Sequence, residues 1–154
     1  MESATEFRFR KGSGKSDRLE VLRGDHIDST IECPKQGIVP HDMVHYAVES
    51  NLAARGFLGR VADGEVASFQ MQAEAQSDSV ERLVEVFQGD AWSGSGSDAS
   101  EMLDLYQVTC RARGCPALAI DAEDIDRIRR TLAELTRRWS DVPVGGTLSL
   151  RLGD

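Results

Sequence analysis

The hydrophobic pattern of the chain changes period twice, and this change limits the folds that the sequence can adopt. Near the N-terminus apolar residues alternate with charged ones in "EFRFR", and alternation returns at the C-terminus in "TLSLRL". A period of two predicts half-buried β-strands. Between these ends the apolar residues recur at intervals of three and four, which is typical of amphipathic helices. The sequence therefore predicts an α+β fold.

The strands at the two ends are expected to meet in one small antiparallel sheet of about four strands. Phe7 and Phe9 mark the first strand, "KGSGKS" is typical of a turn, and "RLEVLR" predicts the returning strand of an N-terminal hairpin. Ile27 and Ile31 continue the alternation as a third strand. A C-terminal strand around Leu148 needs partners, and the N-terminal hairpin is the available sheet. A chain of 154 residues is long enough to bury a core, so we expect residues 1–154 to form a single domain.

Four to five helices are expected between the strands. The first has Pro40 at its first position, Asp42 near its positive end, and Gly56 as a C-terminal cap after Arg55. Three later helices have acidic pairs at capping-box spacing, namely Asp78 with Glu81, Asp98 with Glu101, and Asp121 with Asp124. Their predicted apolar stripes are Val80, Leu83, Val84 and Phe87; Met102, Leu105, Tyr106 and Thr109; and Ile125, Ile128, Leu132, Leu135 and Trp139. Residues 65–75 weakly favour a helix, and "SGSGSDAS", residues 93–100, predicts a flexible internal loop.

The charge and the cysteines limit the partners and the compartment. The net charge is −8, which argues against nucleic acid or an anionic membrane as the main partner. No run approaches the roughly 18 apolar residues of a membrane span, and the N-terminus lacks the apolar core of a signal peptide. Cys33, Cys110 and Cys115 are odd in number and scattered, so we interpret them as buried thiols of a cytoplasmic protein. A protein partner or a homo-oligomer remains open.

The segment "GSGKS" resembles the end of a phosphate-binding loop. The full pattern requires a further glycine at position 9, where the chain has Phe9. It also requires a helix to follow, whereas a strand is predicted here. No nucleotide is therefore expected as a cofactor.

The segment "PHDMVHYAVE", residues 40–49, contains two of the three histidines. At about 100° per residue, His41, His45, Glu49 and Asp42 share an arc of roughly 100° beside the apolar stripe. Because His41 and His45 are about 6 Å apart along the axis, both can ligate one divalent ion such as Zn²⁺. His41 and Glu49 are roughly 12 Å apart and cannot easily share that ion from a straight helix, so a metal site uses His41 with His45 or His45 with Glu49.

Three interpretations of this segment remain open. In the first, His41 and His45 bind a divalent metal with a ligand from elsewhere, His26, Asp63 or Glu65. Asp42 or Glu49 then serves as catalytic base in metal-assisted hydrolysis, since His-Asp-x-x-His resembles the His-Glu-x-x-His order of zinc proteases, although Asp is one methylene shorter. In the second, the same four residues form a structural polar network in a non-enzymatic binding module. In the third, a histidine performs acid–base catalysis without metal.

Residues 39–65 resemble a family of small uncharacterised bacterial proteins. The family pattern is a His-Asp-x-x-His-Tyr-x-Val-Glu helix followed by a Gly-Phe-x-Gly turn. The matching positions are His41, Asp42, His45, Tyr46, Val48, Glu49, Gly56, Phe57, Gly59 and Gly64. The resemblance implies that this helix is the distinctive part of the protein, and it implies no particular activity.

Overall fold

The computed structural model of the chain describes residues 5–24, 26–52, 58, 75–94 and 96–152. The elements, in chain order, are β1 (Thr5–Arg10), β2 (Ser16–Arg23), β3 (His26–Pro34), α1 (His41–Asn51), α2 (Ala75–Trp92), α3 (Ala99–Arg113), α4 (Ala122–Ser140) and β4 (Thr147–Arg151). Four strands and four helices among these residues confirm the predicted α+β class. No helix in the described ranges is long and apolar enough to cross a membrane.

The two ends of the chain meet in one antiparallel sheet, as the sequence predicts. The strand order is β3-β2-β1-β4, so the C-terminal strand pairs with the first one. Phe7 of β1 lies opposite Val21 of β2 and Leu150 of β4, and Phe9 lies opposite Leu19 of β2. These apolar residues are fully or nearly fully buried and form the sheet side of one continuous core. The alternate positions of β1 carry charge, and Arg8 pairs with Glu20 of β2 at 2.8 Å.

The helices largely bury the faces that their apolar spacing predicts. Val80, Leu83, Val84 and Phe87 are buried in α2, and Ile125, Ile128, Leu135 and Trp139 are buried in α4, whereas Leu132 of α4 and Thr109 of α3 are half-buried. In α3 the prediction for Leu105 is wrong, because this side chain is 54% exposed. Its helix packs on a narrower face formed by Met102, Tyr106 and Cys110 at four-residue spacing.

Two of the three predicted capping residues lie at the start of a helix. Asp121 and Asp124 form the predicted capping box of α4, and Asp98 is the N-cap of α3. The prediction for Asp78 is wrong, because α2 already includes Ala75, and Glu81 therefore lies inside the helix. Residues 99 and 100 belong to α3 rather than to the preceding loop.

The first helix also differs from its predicted limits. Pro40 is the N-cap and not the first helical residue. The helix ends at Asn51 instead of Arg55 because Leu52 has extended backbone, and the Asn51 amide donates a hydrogen bond to the Ala47 carbonyl. Arg55, Gly56 and the ambiguous segment 65–74 lie outside the described residues.

Helix α1 is fixed between the sheet and two helices, and this fixes the histidines that it carries. It contacts both α2 and α4. Its Asn51 amide donates to Thr131 of α4 at 2.9 Å, and its Tyr46 hydroxyl donates to the Arg151 carbonyl of β4 at 3.1 Å. The polar arc of α1 is consequently held against α2.

Candidate metal centre

Two histidines on consecutive turns of α1 direct the same ring atom toward one carboxylate. The rings of His41 and His45 meet edge to face, with their centroids 4.9 Å apart. Nε2 of His41 lies 3.1 Å from Oε1 of Glu81, and Nε2 of His45 lies 2.6 Å from Oε2 of the same residue. Glu81 belongs to α2, so the two imidazoles and the carboxylate come from two different helices.

The other nitrogen of each ring is held by an oxygen acceptor. Nδ1 of His41 donates to Oε1 of Gln88 over 2.9 Å, and Nδ1 of His45 donates to Oε2 of Glu49 over 3.0 Å. The Glu49 oxygen is itself fixed, because it also accepts the backbone N–H of Leu58 at 3.1 Å. An Nδ1–H bond to a fixed oxygen places the lone pair of the neutral imidazole on Nε2.

We call these five residues the histidine cluster: His41, His45, Glu49, Glu81 and Gln88. Its inner part is almost dry, since the side chains of His45 and Glu49 are 3% and 1% exposed. Its outer part reaches solvent, since the side chains of His41 and Glu81 are 39% and 31% exposed. The cluster is therefore anchored in the core and open on one side.

The charges within the cluster shift its pKa values in opposite directions. Burial acts to lower the pKa of His45, but the carboxylates of Glu49 and Glu81 outweigh burial and raise it to about 10. The pKa of His41 is also raised, because Glu81 outweighs the effect of burial. Burial acts to raise the pKa of Glu81, and the two histidines hold it well below the usual range. Without a metal, the centre is an ion pair of imidazolium and carboxylate.

Asp42 lies beside the cluster on the side of β3. Ligating atoms of His41, Asp42 and His45 all lie within 4.8 Å of one another. The Asp42 carboxylate is half-buried and accepts a weak hydrogen bond from the Cys33 thiol over 3.8 Å. Burial raises the pKa of Asp42, and the two histidines offset this only in part. A carboxyl group of this kind binds and releases a proton closer to neutral pH than an exposed aspartate.

The residue that faces both histidines is one that the sequence did not suggest. His26 lies at the exposed start of β3 and is outside the group of ligating atoms within 4.8 Å found among the described residues. Asp63 and Glu65 lie outside the described residues. Glu81 instead pairs with both Nε2 atoms, and Gln88 lies two turns further along the same helix. Their seven-residue spacing is the only sequence feature that links them, and it is common on polar helix faces.

A separate groove with a volume of about 620 Å³ lies between the β3–α1 loop, α1, α2 and α4. Ile38, Val44, Phe87 and Leu132 contribute its apolar lining, and Arg130 is among its charged residues. In the described part of the chain, none of the residues that line the groove belongs to the histidine cluster. The groove therefore lies beside α1 and does not open onto the histidine cluster.

Comparison of the chain with models of protein families, with curated protein sequences and with solved structures finds no match. The resemblance to the small bacterial family therefore stays a prediction. The chemistry of the histidine cluster therefore rests on its own geometry.

Proposed function

We propose that the protein binds a divalent transition-metal ion through His41, His45 and Glu81. The observation that supports this most is that the two nitrogens of each ring have different kinds of partner. Both Nδ1 atoms donate to side-chain oxygens while both Nε2 atoms face one carboxylate. Metal-binding histidines commonly have this arrangement, because the outer hydrogen bond fixes the tautomer and the ring orientation.

The distances between the donor atoms fit an ion after a small expansion. A tetrahedral ion with bonds of about 2.0–2.1 Å separates its ligand atoms by roughly 3.3 Å. The Nε2–oxygen distances at Glu81 are 3.1 and 2.6 Å. Both distances are shorter than an ion requires, and movement of the partly exposed Glu81 carboxylate would lengthen them.

An ion at this centre must displace the proton of His45. The cost of removing that proton can be compared with the free energy of zinc binding. With a pKa of about 10, deprotonating His45 at pH 7 costs about 4 kcal/mol, at 1.4 kcal/mol per pH unit. For comparison, the structural zinc sites of zinc-finger peptides provide apparent binding free energies of about 10–16 kcal/mol at pH 7. Proton release therefore weakens metal binding without preventing it.

The open side of the cluster supports a catalytic centre more than a closed structural one. His41, His45 and Glu81 would hold the ion, which would supply a Lewis acid with a coordination position open to water. Asp42 would accept a proton as general base, and Glu49 would orient His45. We therefore propose metal-assisted hydrolysis as the reaction class.

A structural network is the second candidate, and one observation favours it. Both nitrogens of the nearly dry His45 already have carboxylate partners at 3.0 and 2.6 Å. A network of this kind satisfies its own charges without an ion. The protein would then be a binding module with no metal dependence.

Metal analysis of untagged protein separates the two candidates. The metal proposal expects about one equivalent of metal per chain after loading with Zn²⁺, and loss of that metal in His45→Ala. His26→Ala is the matched control, because His26 is exposed at the start of β3. Less than about 0.1 equivalent, together with no thermal shift on adding Zn²⁺, Mn²⁺ or Ni²⁺, would contradict metal binding.

The reaction class needs its own measurement. With p-nitrophenyl acetate and bis-p-nitrophenyl phosphate as probes, we expect a metal-dependent rate for one of them. Asp42→Asn should retain the metal and lose about 10²–10⁴-fold in rate, which is typical for removal of a general base. A metal-loaded protein that hydrolyses neither probe, or an unchanged rate in Asp42→Asn, would contradict the assignment of Asp42.

A further inference from the structure

The end of α3 brings two cysteines together. Gly114 has a φ of 70°, its N–H donates to the Arg111 carbonyl, and the N–H of Cys115 donates to the Cys110 carbonyl over 3.0 Å. These two hydrogen bonds define a Schellman motif, in which the residue after the glycine packs on the residue five positions before it. Cys110 and Cys115 occupy these two positions.

The two cysteines differ in exposure. Cys110 is 1% exposed, whereas Cys115 is half-buried at the surface. Burial raises the pKa of the Cys110 thiol, and Tyr106 and Cys115 are near enough to shift it as well. The Tyr106 hydroxyl is fixed, because it donates to the Ser79 carbonyl and accepts the N–H of Leu118, each over 3.0 Å. The pair is thus preorganised by backbone geometry and packing.

Cys33 provides an internal comparison. It is buried on β3, and its thiol partners are the Ile31 carbonyl and the Asp42 carboxylate. Both partners are oxygen atoms, and burial together with Asp42 raises the pKa of this thiol to about 12. A thiol in this state is inert toward disulfides.

We propose that Cys110 and Cys115 form an intramolecular disulfide by exchange with a low-molecular-weight disulfide such as oxidised glutathione. This inference is independent of the metal centre. The feature that supports it is the Schellman motif, whose two backbone hydrogen bonds place the half-buried Cys115 beside the buried Cys110. Such a pair can be oxidised without a large movement of the backbone.

The exchange takes place in two steps. The Cys115 thiolate attacks one sulfur of oxidised glutathione, the glutathione S–S bond breaks, and one glutathione thiolate leaves. The Cys110 thiolate then attacks Sγ of Cys115, and the second glutathione leaves from that sulfur. The two protein thiols lose two electrons to the glutathione disulfide, and their two protons pass through solvent to the two glutathione thiolates. Burial raises the pKa of Cys110, so the second step is expected to be the slower one.

Peptide mapping tests the proposal on the full chain. The protein is incubated with oxidised glutathione, alkylated and digested with trypsin, which cuts after Arg111 and Arg113 and so separates the two cysteines. We expect a disulfide-linked pair of peptides carrying Cys110 and Cys115, with Cys33 alkylated, and a rise in Tm of roughly 3–6 °C. Alkylation of both peptides, or linkage between two chains instead of within one, would overturn it.

Three serine variants complete the test. Cys33→Ser should leave the linked peptides unchanged. Cys110→Ser should stop at the mixed disulfide of glutathione with Cys115, and Cys115→Ser should leave Cys110 unmodified. A mixed disulfide that persists on Cys115 in the wild-type chain would also overturn the proposal, because it would show that Cys110 does not reach it.

Discussion

Glu81→Gln is the substitution that tests the histidine cluster most directly. It keeps the size of the side chain and removes the charge that faces both Nε2 atoms. Breaking a buried ion pair costs about 3–5 kcal/mol, whereas an exposed pair contributes less than about 1 kcal/mol. Glu81 is 31% exposed and His45 is 3% exposed, so we expect an intermediate loss of about 2 kcal/mol. The unfolding entropy of a 154-residue chain is about 0.3 kcal/mol/K, and Tm should fall by about 6 °C.

The assay is thermal unfolding of metal-free protein in EDTA near pH 6, followed by titration with Zn²⁺. Glu85→Gln is the matched control, because Glu85 lies one turn away on α2, is 42% exposed and pairs only with Arg82, at 3.2 Å, among the ion pairs described. This control should lose less than about 1 kcal/mol. Zn²⁺ affinity should fall by more than about 100-fold in Glu81→Gln and stay unchanged in Glu85→Gln. Losing a metal ligand should lower the affinity more than losing a residue that only hydrogen-bonds to a ligand, which costs about 10–100-fold.

Two results would refute this reasoning. If Glu81→Gln unfolds within about 1 °C of the wild type in EDTA, Glu81 does not hold the imidazoles. If its Tm falls and its Zn²⁺ affinity does not change, Glu81 is a member of the network and not a ligand.

Four further results are expected. Because neighbouring carboxylates outweigh burial and raise the pKa of His45 to about 10, its stabilising effect in metal-free protein is complete below about pH 6.5. That effect is lost as the pH rises toward 10, at up to about 1.4 kcal/mol per pH unit, which urea unfolding at pH 6 and pH 9 measures, and His45→Ala should flatten this slope. Glu49→Gln should weaken Zn²⁺ binding by about 10–100-fold in calorimetry, and an unchanged Kd would show that the outer hydrogen bond is dispensable. Lys11→Met should cost about 1–2 kcal/mol in urea unfolding, because the Lys11 ammonium donates to the carbonyl of Trp139 over 2.6 Å and lies 4.7 Å above its ring. Tyr106→Phe should cost about 2 kcal/mol in the same assay, since its buried hydroxyl has two hydrogen bonds; a loss below about 0.5 kcal/mol would contradict this.

Local patterns predicted the elements of the fold because their causes are local. Alternation in β1 and β4 follows from the pleat of a strand, and the capping box of Asp121 and Asp124 needs only four consecutive residues. Where a side chain had two competing uses, the local pattern failed. Glu81 has capping-box spacing with Asp78, yet the helix includes Ala75, and the Glu81 carboxylate pairs with two imidazoles instead.

The cysteines illustrate the same limit. Gly114 ends α3, and its left-handed backbone is a local property of glycine. Sequence spacing alone was weak evidence for pairing Cys110 with Cys115. Their proximity depends on the backbone hydrogen bonds that close the helix end.

The sequence by itself determined the α+β class, the pairing of the two ends and the polar arc of His41 and His45. These follow from periodicity and from the fixed rise and rotation of a helix. Only the tertiary structure decided which residue meets that arc, because α1 and α2 are joined by packing and not by any sequence interval. It brought Glu81 to both Nε2 atoms and placed Gln88 beside the ring of His41, whereas the contact of His45 with Glu49 follows from their four-residue spacing on α1. A contact between two helices is decided by how the core packs, and no pattern within either helix contains that information.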